Sequence, residues 1–378
     1  MNYRIPFNRP TLIPEALNCV SEVVRSGRLS GNGPFTHACE TRLRELTSAH
    51  AALLTSSCTS ALEMSALMVE ARPSDEVIVP SFTFVSTANA FAMHGFTPIF
   101  ADCRPDTLNV DEATIAPLIG PRTRAIVVMH YGGVACEMDG ILALASRHNL
   151  VVVEDNAHGL FAKYKGRPLG SLGSIATQSF HETKNVTSGE GGALLVNAAS
   201  LVERAEVLRE KGTNRSRFCR GEVDKYTWVD VGSNYLASEI QAAYLLAQLR
   251  ASDLVQSMRT AIWNRYDGAL KDWARANSVD RPTVPPHCEH PSHLYYLLMP
   301  TASARARLIE HLRAQGILAV FHYLPLNVSP MGRKFGGAEG ACPVAEDVSE
   351  RLLRLPFYTS LSVDEQNDVI AAVRQFSV

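Results

Sequence analysis

The sequence has no Cys-x-x-Cys pair, although eight cysteines occur among its 378 residues. They are scattered along the chain, at positions 19, 39, 58, 103, 136, 219, 288 and 342. Such spacing fits neither a disulfide framework nor a zinc site, and it suits a reducing compartment. We therefore expect no metal centre.

Excess charge and long apolar runs are also missing. The formal net charge is -2, which gives no electrostatic case for nucleic acid or an anionic membrane as partner. No apolar run approaches the length of a membrane span, and the first residues lack the apolar stretch of a signal peptide. With 46% hydrophobic and 20% charged residues, the composition is that of a globular protein, which we expect to be cytoplasmic.

Near its start the chain has no strand–Gly-x-Gly-x-x-Gly–helix unit, which argues against a Rossmann-like nucleotide-binding protein. Instead, short apolar runs alternate with helical patterns. The runs span 51–54, 76–80, 98–102, 125–130, 151–155, 175–180 and 193–196. This alternation predicts an α/β fold with a large, mostly parallel sheet covered on both faces.

A smaller C-terminal α/β domain is expected after residue 250, so we divide the chain into 1–250 and 251–378. A Pro-rich segment at 281–291 marks the change in organisation. It is followed by a predicted strand–helix–strand unit at 295–299, 303–315 and 318–321, and by a final helix at 363–376. Ser238 and Gln241 have the spacing of a capping box, which predicts a helix from there to about 249.

The stretch from Ser179 to Gly192 carries the first candidate site residue, Lys184, between two predicted strands. Most loop lysines are solvated surface charges. Asp155, a carboxylate about one strand upstream, favours a cofactor-binding role for Lys184. A buried Asp followed by a Lys is the minimum set for binding pyridoxal 5′-phosphate (PLP). Asp155 lies close behind four apolar residues, 150–153, and must be paired if it is buried.

Other candidates follow predicted strands, where ligands bind in open α/β sheets. Residues 57–60 lead into a helix, so they either hold a phosphate or simply cap the helix. Phe84 is either a core residue or a platform for a flat ring. His158 is either a buried, hydrogen-bonded histidine or a contact of the ring's phenolic oxygen. The glycine-rich segment 26–34 is either a connector or an active-site loop.

Three short motifs then become recognisable: Asp155-x-x-His158, Ser179-Phe-His-x-x-Lys184 and Glu190-Gly-Gly. They resemble the DegT/StrS family of PLP-dependent sugar aminotransferases, and the resemblance covers nearly the whole chain. It implies a fold type I PLP-dependent transferase of the aspartate-aminotransferase kind. Longer segments resemble members that aminate the 4-keto group of dTDP-4-keto-6-deoxyglucose with glutamate as donor; they are 80–91, 130–139, 181–185, 209–216, 224–228 and 319–323.

By this resemblance two residues are catalytic: Lys184 is the Schiff-base lysine, and Asp155 is the partner of the pyridine nitrogen. The resemblance also implies a homodimer with shared active sites. Related 3-dehydratases carry His at position 184, so the lysine favours transamination. The remaining cofactor contacts that it implies are Thr59, Ser60 and Ser179 at the phosphate, Phe84 stacked on the ring, His158 at the ring oxygen, and Asn234 reaching in from a second subunit.

Two alternatives stay open. One is a nucleotide-sugar aminotransferase that acts at C3 or gives the gluco epimer of the 4-amino product. The other is a PLP-binding regulatory protein without turnover, which would keep Asp155 and the phosphate site but have no need of Lys184. The basic span 211–225 and the pair His322 and Tyr323 are candidates for the nucleotide end of the substrate.

Overall fold

The computed structural model describes residues 3–72 and 74–378 and contains a seven-stranded, mostly parallel sheet. Its strands are β1 (Ala51–Thr55), β2 (Glu76–Pro80), β3 (Thr97–Ala101), β4 (Thr123–Met129), β5 (Val151–Asp155), β8 (Ile175–Ser179) and β9 (Gly192–Val196). They lie in the order β1-β9-β8-β5-β4-β2-β3. Strand β9 runs antiparallel to both β1 and β8, and the other strands pair in parallel.

Two small sheets complete the strands. Their strands are β6 (Lys163–Tyr164), β7 (Arg167–Pro168), β10 (Cys288–Glu289), β11 (Tyr296–Leu298) and β12 (Leu352–Arg354). One sheet has the order β10-β6-β7, and the other pairs β11 with β12. The α-helices are α1 (Glu15–Ser26), α2 (Pro34–Thr47), α3 (Cys58–Val69), α4 (Val85–Met93), α5 (Glu112–Ile115), α6 (Met138–His148), α7 (Val202–Arg209), α8 (Arg215–Cys219), α9 (Glu239–Arg250), α10 (Ser252–Ala276), α11 (Ala302–Ala314), α12 (Pro330–Lys334), α13 (Pro343–Arg351) and α14 (Val363–Gln375).

The large sheet is covered on both faces, as the continuous apolar runs predict. Along β2, Val77 and Val79 pack into one hydrophobic cluster, whereas Ile78 packs into another on the opposite face. All five residues of β2 are buried. The predicted capping box also forms: Ser238 Oγ accepts the Gln241 N–H, and the Gln241 side chain accepts the Ser238 N–H.

The C-terminal part has its own apolar cluster, drawn mainly from α10, α11, α14 and the strand pair. Ile5 belongs to this cluster and forms a parallel bridge with Ile317, so the N-terminal segment crosses to the C-terminal part. Helix α9 ends at Arg250 and α10 begins at Ser252. The division into domains at residue 250 stays a prediction.

The strand expected at 318–321 is wrong. There, Val320 makes an isolated bridge with Arg354, and Phe321 is half exposed. The partner of β11 is instead β12, which pairs antiparallel with it about fifty residues later along the chain. β12 is three residues long and contains an arginine, so it carries little strand signal in the sequence. In the described ranges, no helix is long and apolar enough to cross a membrane.

Candidate active site

The predicted site residues follow neighbouring strands and meet at the carboxyl edge of the large sheet. Asp155 is the last residue of β5, and Ser179 is the last residue of β8. Gly192, at the start of β9, pairs with Ser179 on one side and with Thr55, the end of β1, on the other. The loop after β1 therefore begins beside the end of β8.

That loop carries a cluster of hydroxyl groups at the start of α3. Ser57 caps the helix, since its Oγ accepts the Ser60 N–H at 3.0 Å. The Ser60 hydroxyl lies 3.0 Å from the hydroxyls of both Ser56 and Ser57. Thr59 Oγ1 donates to Ser86 Oγ at 3.1 Å. Helix N–H groups and clustered hydroxyls suit a phosphate. Both interpretations from the sequence therefore apply to this loop: Ser57 caps the helix, and the neighbouring hydroxyls form a cluster suited to a phosphate.

Gly192 is what allows this loop to lie so close to β9. A Cβ at Gly192 would stand 2.3 Å from the Ser57 carbonyl carbon and 2.4 Å from the Cys58 nitrogen. Because both are backbone atoms, no side-chain movement could relieve the contact. The glycine thus fixes the position of the hydroxyl cluster relative to the sheet.

Asp155 is buried, with 4% of its surface exposed. Its Oδ2 accepts the Thr87 hydroxyl at 2.6 Å, and its Oδ1 accepts the Ala157 N–H at 3.2 Å. Both donors are neutral, and within the described residues no cation is paired with it. Burial therefore raises the pKa of this carboxyl, although the Thr87 bond opposes the shift.

Lys184 lies in a turn after β8, where its N–H donates to the His181 carbonyl at 2.9 Å. Its ammonium has no hydrogen bond or ion pair in the part of the chain that the structure describes. Burial lowers its pKa from 10.5 to about 8. The charges of Asp155 and Arg354 act on it in opposite directions, so both lie within electrostatic range. An amine of this kind is partly unprotonated near neutral pH, as a nucleophile or base requires.

His158 is engaged on both ring nitrogens. Its Nδ1 accepts the Gly132 N–H at 3.3 Å, and its Nε2 lies 3.3 Å from the Tyr323 hydroxyl. Its ring packs on that of His293, with centroids 4.2 Å apart. Burial holds the pKa of His158 well below its usual value, so the ring is neutral and its proton sits on Nε2. Its predicted contact with the cofactor's oxygen stays a prediction.

The other predicted cofactor residues lie around this edge. Phe84 immediately precedes α4 and is 57% exposed, with its ring centroid 6.3 Å from that of Tyr323. Asn234 is exposed, next to Tyr235, whose carbonyl accepts the Ser56 N–H of the hydroxyl cluster. Because the structure describes one chain, the role of Asn234 in a second subunit stays a prediction.

The basic span 211–225 is a surface ion-pair network. Arg217 pairs with Glu203 and Glu222, and Arg220 pairs with Glu206 and Glu222. Such exposed pairs are typical solvated charge. Each arginine of the span is paired with a glutamate, and the role of the span at the nucleotide stays a prediction.

The residues present fit PLP. The buried carboxyl of Asp155 has only neutral donors, and a protonated pyridine nitrogen would supply the missing cation. Lys184, unpaired and of lowered pKa, lies within electrostatic range of this carboxyl. The hydroxyl cluster at the start of α3 suits the phosphate. Together with the sheet order, this arrangement defines a fold type I PLP-dependent transferase. No group of three or more His, Cys, Asp or Glu side chains suited to a metal occurs among the described residues.

Comparison with known proteins narrows this class. The sequence pattern of the DegT/DnrJ/EryC1/StrS aminotransferase family matches residues 10–374, so the chain belongs to that family. The spore coat polysaccharide biosynthesis protein SpsC of Bacillus subtilis is 35% identical over 381 residues, covering 99% of this chain and 97% of SpsC.

Solved structures of similar proteins agree. DesV of S. venezuelae is 31% identical, with a TM-score of 0.89 over 99% of this chain and 98% of DesV. The PLP form of the putative sugar aminotransferase Spr1654 from Streptococcus pneumoniae is 26% identical, with a TM-score of 0.90 over 98% of both chains. The predicted fold class, PLP as cofactor and an enzyme that transaminates sugars are thereby confirmed.

Sequence reasoning missed several residues of this edge, notably Thr87, His293 and Arg354. Thr87 is 68 residues from Asp155, and nothing in its helical surroundings marks it. Arg354 stands in the run Leu352-Leu-Arg-Leu-Pro356. A charged residue within an apolar run was the one signal that could have drawn attention to it.

Proposed function

We propose that this enzyme transfers an amino group from glutamate to the 4-keto group of dTDP-4-keto-6-deoxyglucose and yields dTDP-4-amino-4,6-dideoxygalactose. It would then be a dTDP-4-amino-4,6-dideoxygalactose transaminase, serving the enterobacterial common antigen or related lipopolysaccharide biosynthesis. The observation that carries the transamination is Lys184, an amine of lowered pKa within electrostatic range of the buried Asp155. The sugar is supported by the resemblance of the segments at 80–91, 130–139 and 319–323 to such enzymes.

We assign two catalytic roles. Lys184 Nζ takes the proton from the α-carbon of the donor, and its lowered pKa leaves an unprotonated fraction for this step. Asp155 holds the proton on the pyridine nitrogen, because an adjacent anion favours the charged form. Bound PLP supplies the electron sink that stabilises negative charge at the reacting carbon. Since the donor's keto product leaves before the sugar arrives, the kinetics should be ping-pong.

The rest of the site is assigned in the same proposal. Thr59, Ser60 and Ser179 hold the phosphate, Phe84 stacks on the ring, and His158 lies near the ring oxygen. Asn234 completes the site of a second subunit in a homodimer, which its exposure in the single chain allows. The division into domains at residue 250 belongs to the same proposal, and Tyr323 of the smaller part contacts His158.

The test is a spectral titration of the PLP-loaded protein. Glutamate alone should abolish the visible band of lysine-bound cofactor, and dTDP-4-keto-6-deoxyglucose should restore it. Mass spectrometry and NMR then identify the product. An axial 4-amine supports the proposal, whereas an equatorial 4-amine or a 3-amine identifies a different sugar aminotransferase. A band that ignores every amino donor would overturn transamination and leave a PLP-binding regulatory protein.

A further inference from the structure

Arg354 is a partly buried arginine that the catalytic proposal does not use. It ends β12, and its guanidinium carbon lies 4.6 Å from the centroid of the Phe7 ring. One Nη atom donates to the Phe321 carbonyl at 3.2 Å. Its Nε is buried without a hydrogen-bond partner, and within residues 3–72 and 74–378 the side chain forms no ion pair. A guanidinium that loses part of its hydration without gaining an anion is destabilising.

The strand register places Arg354 on the face that borders the active site. Side chains two apart on a strand share a face, and Leu352 packs in the cluster that contains Phe82 and Tyr131. Leu353 packs instead in the C-terminal cluster. The arginine therefore stands on the active-site face, where the pattern of β12 would place another apolar residue.

Electrostatic effects agree with this placement. The charge of Arg354 opposes protonation of Lys184 and of His158, His293 and His322, and it favours ionisation of Tyr131 and Tyr323. These groups surround the carboxyl edge of the sheet. Burial, in turn, lowers the pKa of Arg354 itself. Geometry and charge thus both put the guanidinium in the active site.

We propose that Arg354 binds a carboxylate of the amino-acid donor. Phe7 covers one face of the guanidinium. The N–H groups, of which Nε–H has no partner, lie in the plane of the fork, and this geometry matches a carboxylate. A donor places its carboxylate within a few bonds of the amine that reacts near Lys184. The nucleotide's diphosphate lies a whole sugar ring away from the reacting carbon. This inference rests on the proposed function, because it names the group that recognises the donor.

The decisive variant is Arg354→Gln, with Arg351→Gln as the matched control. Arg351 lies three residues earlier, but it is paired with Asp347 and bonds the Met299 carbonyl. In PLP-loaded protein, Arg354→Gln should raise the glutamate concentration for half-maximal single-turnover rate by about 10- to 100-fold, the range of one charge-assisted pair. The KM for the nucleotide sugar should change by less than about threefold. Arg351→Gln should leave both values unchanged.

A binding measurement without turnover provides a second readout. Calorimetry with glutarate, a dicarboxylate that lacks an amine, should show the same loss of affinity in Arg354→Gln protein. Arg354→Lys keeps the charge without the fork and should fall between wild type and Gln. If the Gln variant does not fold, the Lys variant carries the same test.

Two outcomes would overturn the inference. A raised KM for the nucleotide sugar with an unchanged glutamate requirement would assign Arg354 to the diphosphate. Glutarate affinity unaltered in both variants would show that the arginine binds no donor carboxylate. Both the glutamate half-reaction and the glutarate measurement omit the sugar, so an error in the sugar assignment cannot be mistaken for failure at Arg354.

Discussion

The hydroxyl of Thr87 sets how readily Asp155 ionises, and Thr87→Val tests this control. Thr87 donates its proton to Asp155 Oδ2, so the 2.8 Å bond between the Thr83 and Thr87 hydroxyls must be donated by Thr83. Valine keeps the shape of threonine and removes the donor. The second bond to Asp155, from the Ala157 N–H, remains in the variant.

The size of the effect follows from the energy of one bond. A hydrogen bond to a charged group contributes about 1.5–3 kcal/mol, and one pKa unit corresponds to about 1.4 kcal/mol. Losing the Thr87 bond should raise the pKa of Asp155, already raised by burial, by a further ~1–2 units. A carboxyl of higher pKa becomes neutral at higher pH. Activity that needs the carboxylate should therefore fail earlier as the pH decreases.

The assay is the single-turnover rate with glutamate as a function of pH. In Thr87→Val the acid limb should move upward by about 1–2 pH units, and the loss of PLP affinity on acidification should begin at a correspondingly higher pH. Thr83→Val should give a smaller shift in the same direction, since it weakens the donor only indirectly. Thr87→Ser keeps the hydroxyl donor, so the acid limb of its pH profile should match that of the wild type. A Thr87→Val enzyme with an unmoved acid limb would refute the control of Asp155 ionisation by Thr87.

Three further predictions concern Lys184 and Gly192. Lys184→Ala should still bind PLP through the hydroxyl cluster, but it should lose at least a thousandfold in rate and resist the borohydride labelling that marks wild type. In cofactor-free protein, Lys184→Met should increase the free energy of unfolding by at most about 3 kcal/mol at pH 7. Because the folded pKa of Lys184 is lowered from 10.5 to about 8, that gain should shrink as the pH rises above 8, and a gain that persists in strong alkali would contradict the shift. Gly192→Ala should destabilise the folded protein by about 1–3 kcal/mol and weaken PLP binding, because its Cβ would lie 2.3 Å from a backbone atom. The control Gly268→Ala, whose Cβ would have no atom within 4 Å, should stabilise the protein by about 0.5–1 kcal/mol. Equal melting temperatures for the two variants would refute the close approach at Gly192.

The sequence predicts the large sheet well because its strands are short, continuous apolar runs bounded by polar residues. The run before Asp155 is one example, and β5 ends at that residue. It predicts the small domain less well, because β12 contains Arg354 and pairs with a strand more than fifty residues away. The run at 318–321 looked more like a strand than β12 did, yet the antiparallel partner of β11 is decided by tertiary packing.

Contacts within the site could not be predicted in the same way. That Asp155 needs a partner follows from its burial, but that the partner is Thr87 depends on where α4 packs. For His158, the two interpretations offered by the sequence were a core histidine and a ring contact. The Gly132 N–H decides which of its nitrogens is protonated, and a backbone donor from another loop leaves no trace in the pattern of side chains.

Three charges share this edge, those of the buried Asp155 and of the partly buried Lys184 and Arg354, and in the described chain none has an ion-pair partner. Folding alone would disfavour such a set, because each unpaired charge loses its hydration. The three charges match the ligands of a transaminase. Asp155 suits a protonated ring nitrogen, Lys184 suits the cofactor's aldehyde, with which its amine forms a Schiff base, and Arg354 suits a carboxylate. Arg354 also opposes protonation of Lys184, so it helps to keep the amine reactive while no donor is bound. The same unpaired charges therefore lower the free energy of unfolding and make the site reactive. Substitutions at Lys184 and Arg354 should accordingly change stability and activity in opposite directions.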